Sequence, residues 1–127
     1  MSAGFAAGMY TTSAPAESVA GDWRLAGWTP RLLRVGDVEK DARREALVAL
    51  GRAMNFPDHY GVNLDALTDC LRDLTNPTVL IWADGATFAD KHPKAWQAIS
   101  DVLAERVKGE PPFAFVLCEP KGKGRRR

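Results

Sequence analysis

The chain is poor in the residues that build covalent or metal-held frameworks. Cys70 and Cys118 are its only cysteines in 127 residues. Two cysteines so far apart do not make a disulfide scaffold, and no Cys-x-x-Cys pair suggests zinc or a redox dithiol. They read as reduced, buried or half-buried thiols in a reducing compartment. Histidine is as scarce: His59 and His92 are too few and too isolated for a catalytic triad. No phosphate-binding glycine loop, no Gly-x-Ser-x-Gly and no His-Glu-x-x-His occurs. No stretch approaches the ~18–20 apolar residues of a membrane span. The N-terminus lacks the basic start of a signal peptide, and Gly4, Gly8, Thr11, Thr12 and Pro15 break its apolar residues. These absences point away from an enzyme, a metal or cofactor protein, and a membrane protein. A soluble cytoplasmic chain with no catalytic residues is the expectation.

Charge of one sign is also lacking: 17 Lys and Arg against 16 Asp and Glu leave +1 at pH 7. Its placement is uneven. Residues 121–127 read Lys-Gly-Lys-Gly-Arg-Arg-Arg and hold five of the basic residues. The remainder has 12 basic and 16 acidic residues, a balance of −4. Such a tail can hold phosphate without sequence preference. It is short, glycine-broken and terminal, however, and the acidic body would oppose RNA. It reads as a flexible solubilising end, so no direct nucleic-acid partner is expected.

Apolar residues make up 46 % of the chain, which calls for a globular core, and the length suits one domain. Residues 1–21, rich in Ala, Gly, Ser and Thr, read as a disordered leader. Residues 22–119 form the expected domain, and residues 120–127 the basic tail. Within the domain, Trp23 and Trp28 lie among turn formers whose structure the sequence leaves open. Residues 31–35 form a short apolar run that reads as a first strand, stopped by Gly36-Asp37. From Asp41 to about Met54, Ala42, Ala46, Leu47, Leu50, Ala53 and Met54 share a helical face. A second helix follows Asn63, with Leu64, Leu67, Leu71 and Leu74 as its stripe, ended by Asn76-Pro77. Residues 78–82 are nearly continuously apolar, as in a strand covered on both faces. Pro93 opens a third helix to about Val107, whose core face is Ala95, Trp96, Ile99, Val102, Leu103 and Val107. Residues 113–117 form the last strand. Trp82 and Trp96 are read as packing residues. Strands joined through helices predict an α/β fold, a small three-stranded parallel sheet covered by helices.

The segment from His59 to Asp73 stands apart. On the second helix, Asp65, Asp69 and Asp73 fall at i, i+4 and i+8, opposite the leucine stripe, and repel one another. Asp65 and Asp69 gain from the positive end of the helix dipole, Asp65 most. Asp73 lies near the negative end, where Arg72 offsets it. Alone, such a stripe reads first as a solvated acidic face. The loop before it changes the balance, because His59 and Tyr60 place two rings beside the carboxylates, with Gly61 expected at positive φ. Rings can fill the space where a nucleobase stacks. Carboxylates can take bidentate bonds from arginines that otherwise hold phosphate.

His-Tyr-Gly-x-Asn-Leu-Asp-Ala-Leu-x-Asp-Cys-Leu, residues 59–71, resembles the signature of the barstar family, intracellular inhibitors of barnase-type ribonucleases. Gly61, Asn63, Leu64, Asp65, Ala66, Leu67, Asp69, Cys70 and Leu71 carry the resemblance, which spans about residues 31–118. It implies a barstar-like fold and a one-to-one complex with a secreted, basic, guanyl-specific ribonuclease, whose active site is blocked to protect the producing cell. The free chain is then expected as a monomer. Asp69 would be the main carboxylate entering the phosphate-binding cluster and Asp65 the second anchor. His59 would stand where an aromatic ring usually packs into the cleft. Gly61 and Asn63 would shape the loop, with Asn63 as cap. A further acid is expected on the third helix, and aligning that helix and the last strand places it at Glu105. The sequence departs from the family pattern at Thr68, where tryptophan is frequent, at Leu74, and at His59, where tyrosine is usual.

Three other readings compete. A metal held by Asp65, Asp69 and Asp73 would need ligands from further elements and a general base, and neither is evident. Nucleic-acid binding rests on the tail alone. A module of the same fold for a different toxin or protein partner is supported by His59 and Thr68.

Overall fold

The computed structural model of the chain describes residues 5–119. Among these residues four strands and five helices follow in the order β1 (Gly8–Thr12), α1 (Ala16–Leu25), β2 (Thr29–Leu33), α2 (Ala42–Met54), α3 (Leu64–Arg72), β3 (Thr78–Trp82), α4 (Gly85–Lys91), α5 (Pro93–Val107) and β4 (Phe113–Cys118). The strands form one sheet in the order β1-β4-β3-β2, and every pairing is parallel. The parallel α/β architecture agrees with the sequence expectation; the sheet has four strands rather than three. No helix among the described residues is long and apolar enough to cross a membrane.

The sheet explains the two cores. Every residue of the central strands β3 and β4 is buried. Their side chains alternate between faces, as strand geometry requires. Leu80, Trp82, Phe113, Phe115 and Leu117 point into a large core with Leu47 and Leu50 of α2, Leu67 and Leu71 of α3, Phe88 of α4, and Ile99 and Leu103 of α5. Val79, Ile81, Ala114, Val116 and Cys118 face the other way, onto Ala16, Val19, Ala20 and Trp23 of α1. Trp82 is fully buried, and its indole N–H donates to the Val35 carbonyl at 2.8 Å, so its burial leaves no polar group unmet.

The expected leader over residues 1–21 is the main correction. Residues 1–4 lie outside the described residues, but β1 and the first part of α1 fall within that span. The expected domain boundary at residue 22 falls inside α1. Composition misled because a segment rich in small residues can still carry an apolar helical stripe, and alanine is the best helix former. The informative signal was the spacing of Ala16, Val19, Ala20 and Trp23, at i, i+3, i+4 and i+7. That stripe covers the second face of β3 and β4. Trp23 is its centre, with the rings of Phe5, Tyr10 and Trp28 packed edge-on at 5.0, 5.7 and 4.8 Å. The basic tail, residues 120–127, also lies outside the described residues.

Two smaller differences have local causes. β2 begins at Thr29, two residues before the expected strand, because Pro30 lies on an edge strand, where a missing N–H costs no ladder bond. Helix α4, Gly85–Lys91, occupies a stretch between the expected strand at 78–82 and the helix opened by Pro93 to which the sequence assigns no element. Gly85 lets it begin against the sheet, since a Cβ there would lie 2.8 Å from Leu117 Cγ. The buried Phe88 then holds the short helix down.

Candidate functional site

The loop between α2 and α3 is held at its middle by Tyr60. The Tyr60 hydroxyl donates to the Leu47 carbonyl of α2 at 3.1 Å, and its ring stacks at a tilt against Phe56, 5.0 Å away. The ring rests on Gly51, where a Cβ would come within 2.8 Å of Tyr60 Cδ2. A glycine inside a helix costs about 1 kcal/mol relative to alanine; here it makes the seat for that ring. Burial, and next the neighbouring Cys70, push the Tyr60 phenol up to about 12. It therefore stays a protonated donor near neutral pH. His59, one residue earlier, is exposed. The two rings thus divide their tasks: Tyr60 fixes the loop, and His59 is presented to solvent.

Gly61 does not carry the positive φ that the sequence suggested. Val62 does, at 52°. At Gly61 a Cβ would press lightly on the cap, 3.3 Å from Asn63 Nδ2 and in ordinary contact with Ala66 Cβ at 3.5 Å. The left-handed turn at the β-branched Val62 carries backbone strain. Asn63 closes the loop onto α3. Its Oδ1 accepts from the Ala66 N–H at 2.7 Å, and its Nδ2 donates to the Gly61 carbonyl at 3.3 Å. Asn63 is thus the N-cap expected of it.

From this cap α3 runs with Leu67 and Leu71 buried and its acids outward. Asp65 is exposed in the first turn, and Asp69 is exposed one turn on. Asp73 is the C-cap residue, just beyond the last helical residue. Arg72, expected to offset Asp73, pairs instead with Asp69, at 3.3 Å. Both partners are more than two-thirds exposed. Such a pair is worth at most about 1 kcal/mol and is easily exchanged for another cation. Cys70 is half-buried and unpaired with another cysteine. Burial first, then Asp73 and Asp69, push its thiol up, which makes it a poor nucleophile. Cys118 is buried, and burial raises its thiol likewise.

Helices α3 and α5 pack side by side and leave a groove of about 530 Å³ between them, bounded by Thr68, Leu71, Arg72, Val102, Glu105 and Arg106. Thr68 turns its hydroxyl back to the Leu64 carbonyl at 3.0 Å, so it adds little bulk to the groove. Glu105 is exposed and pairs with Lys108 at 3.5 Å. The structure therefore brings Glu105 to the same surface as Thr68 and Arg72. No three His, Cys, Asp or Glu side chains among the described residues converge as a metal site would require.

Sequence reasoning missed Arg106 and Gly51. Arg106 is buried among the core residues of α5, its Nε donating to the Leu71 carbonyl at 2.9 Å and its Nη2 to the Pro111 carbonyl at 2.8 Å. It caps the C-terminal end of α3 from a neighbouring helix and lies 5.8 Å from the Phe113 ring centroid. The available signal was a charge on the core stripe of α5, at i+7 from Ile99 and i+3 from Leu103. Gly51 in a helical pattern was a comparable signal for a ring seated nearby.

Among known protein families, the model described as Barstar (barnase inhibitor) matches residues 37–118. The match contains the Tyr60 loop, all of α3 and the α5 face, and leaves out β1, α1 and β2. A search of individual curated proteins gave no match. With more than half of its length matched, including every element that frames the acidic face, the chain belongs to the barstar family.

Proposed function

We propose that the chain binds a secreted, basic, barnase-type ribonuclease one to one and blocks its active site, protecting the producing cell. The observation that carries this reading is the face formed by exposed His59, Asp65 and Asp69 on a loop and helix locked from behind by Tyr60 and Asn63. A preformed face loses little conformational freedom on binding. Asp65 and Asp69 would take the cationic groups that hold RNA phosphate, and Asp69 would exchange Arg72 for them. His59 would enter the base-binding cleft, with Gly61 and Asn63 setting the loop. Thr68, Asp73 and Glu105 would complete the contact on the α3–α5 side. Charge complementarity would speed association and make it salt-sensitive.

The test is titration of the chain into a basic microbial ribonuclease assay beside Asp69→Ala. Inhibition should weaken at least tenfold in the variant, about 1.4 kcal/mol. Equal inhibition by both proteins would remove the mechanism. A second reading, a barstar-fold module for another toxin or partner, is favoured by one observation: Thr68 leaves open the α3–α5 groove. Failure to inhibit any basic ribonuclease, with a folded protein, would turn the assignment to it.

A further inference from the structure

The α3–α5 groove contains a group whose hydrogen bonding is unfinished. Arg106 is only 9 % exposed. Its Nε and Nη2 are committed to the Leu71 and Pro111 carbonyls, while Nη1 is buried with no hydrogen-bond partner among the described residues. No carboxylate among them lies within ion-pair distance of the guanidinium. Burial weakens its hold on the proton, and the charge of Glu110 restores part of it. Nη1 is closed to solvent in the unbound chain, so an acceptor in the groove meets it only as the guanidinium turns outward, and an unmatched donor in low dielectric rewards that turn.

The surroundings select the acceptor. Asp101, Glu105 and Glu110 also line the groove, against Arg72 and Arg106. Three carboxylates oppose an anionic acceptor. They do not oppose a neutral carbonyl, and they reward one that carries N–H donors. Leu71 and Val102 supply an apolar wall. Gly109 sits beside the unmatched nitrogen, where a Cβ would lie 3.3 Å from Nη1. A side chain at position 109 would therefore crowd the approach. An acceptor, flanking N–H donors and a short apolar stem together describe a primary carboxamide.

We propose that the α3–α5 groove is a carboxamide pocket that takes an asparagine or glutamine side chain of the partner protein, its carbonyl accepting from Arg106 and its NH2 donating to the rim carboxylates. This rests on the reading that the α3 face meets a protein, and adds what that face selects. It places a specificity element where Thr68 stands in the pocket wall.

The test is an NMR titration of the full chain, labelled with ¹⁵N, with N-acetyl-asparagine N-methylamide, whose only primary carboxamide is its side chain. N-acetyl-aspartate N-methylamide and N-acetyl-leucine N-methylamide, which have none, serve as comparators. The asparagine probe should shift the Gly109 amide and the Arg106 Nε–H saturably, and the aspartate probe should bind at least tenfold more weakly. Gly109→Ala, at a position outside the left-handed region, and Thr68→Trp should each abolish the shifts with the protein still folded. No shift at these residues, equal or tighter binding of the aspartate or leucine probe, or full binding by Gly109→Ala would overturn the proposal. Probe binding without ribonuclease inhibition would uphold the pocket and place its partner elsewhere. Asp69-dependent ribonuclease inhibition without probe binding would refute the pocket and leave the ribonuclease reading standing.

Discussion

At the scale of single residues, the site depends on contacts behind it. Tyr60 has a raised phenol, about 12 against an ordinary 10.0. The folded chain keeps that proton where the unfolded chain has lost it. The stability it contributes is present below pH 10 and declines as pH rises through 12. Tyr60→Phe should remove this alkaline loss and, with it, the hydrogen bond to Leu47, lowering stability at neutral pH by about 0.5–1.5 kcal/mol. Thermal melts of both proteins from pH 7 to 11 check this: a variant curve parallel to wild type above pH 10 would refute it. Gly51→Ala tests the ring seat. Helix propensity alone would stabilise by about 1 kcal/mol. The new Cβ would press on a ring pinned by its hydroxyl, and overpacking costs about 1–3 kcal/mol. Net destabilisation in urea is expected, and stabilisation would show that the ring is free to move. A glycine inside the α2 pattern hinted at a close neighbour of position 51, but that the neighbour is the Tyr60 ring was not legible, because only the folded loop brings the two together. The acids and the cap were legible, because their spacing within one helix fixes where they point.

At the scale of elements, α3 is set by its cap and α1 by its stripe. Asn63→Ala removes the acceptor of the Ala66 N–H and should cost about 1 kcal/mol. The same change frees the link to Gly61, so amide exchange in the loop should quicken along with that in the first turn of α3. Unchanged exchange at Ala66 would mean that the cap contributes nothing. Trp23→Ala should cost about 3–5 kcal/mol, since it empties the centre of the second core. Chemical denaturation checks it, and a loss below 1 kcal/mol would make α1 an ornament. The limits of β3, the span of α5 and the N-terminus of α3 followed from apolar runs, Pro93 and Asn63. Helix α4 and the β1–α1 unit did not. Their sequences are short, small-residued or turn-like, and their stability comes from covering the sheet.

At the scale of the whole molecule, a parallel sheet with both faces buried needs helices on two sides. The apolar run of β3 already implied that second cover, and α1 supplies it from outside the family-matched residues. The large core holds α2, α3, α4 and α5 on one side, so the acidic face projects from a rigid layer. If that face steers a cationic partner, the association rate with a basic ribonuclease should fall steeply between 50 and 500 mM salt, roughly as screening shortens the reach of charge. A rate indifferent to salt would remove steering while leaving the contact itself to the Asp69 comparison. The sequence by itself determined the parallel α/β class, the α3 cap, the outward acids and the barstar-like signature, because each depends on the order of elements along the chain or on spacing within a short segment. Only the tertiary structure decided the fourth strand, the inward turn of Tyr60 onto Gly51, the pairing of Arg72 with Asp69 and the unmatched Arg106 in the α3–α5 groove. Each of these depends on which surfaces meet, and local periodicity carries no record of that.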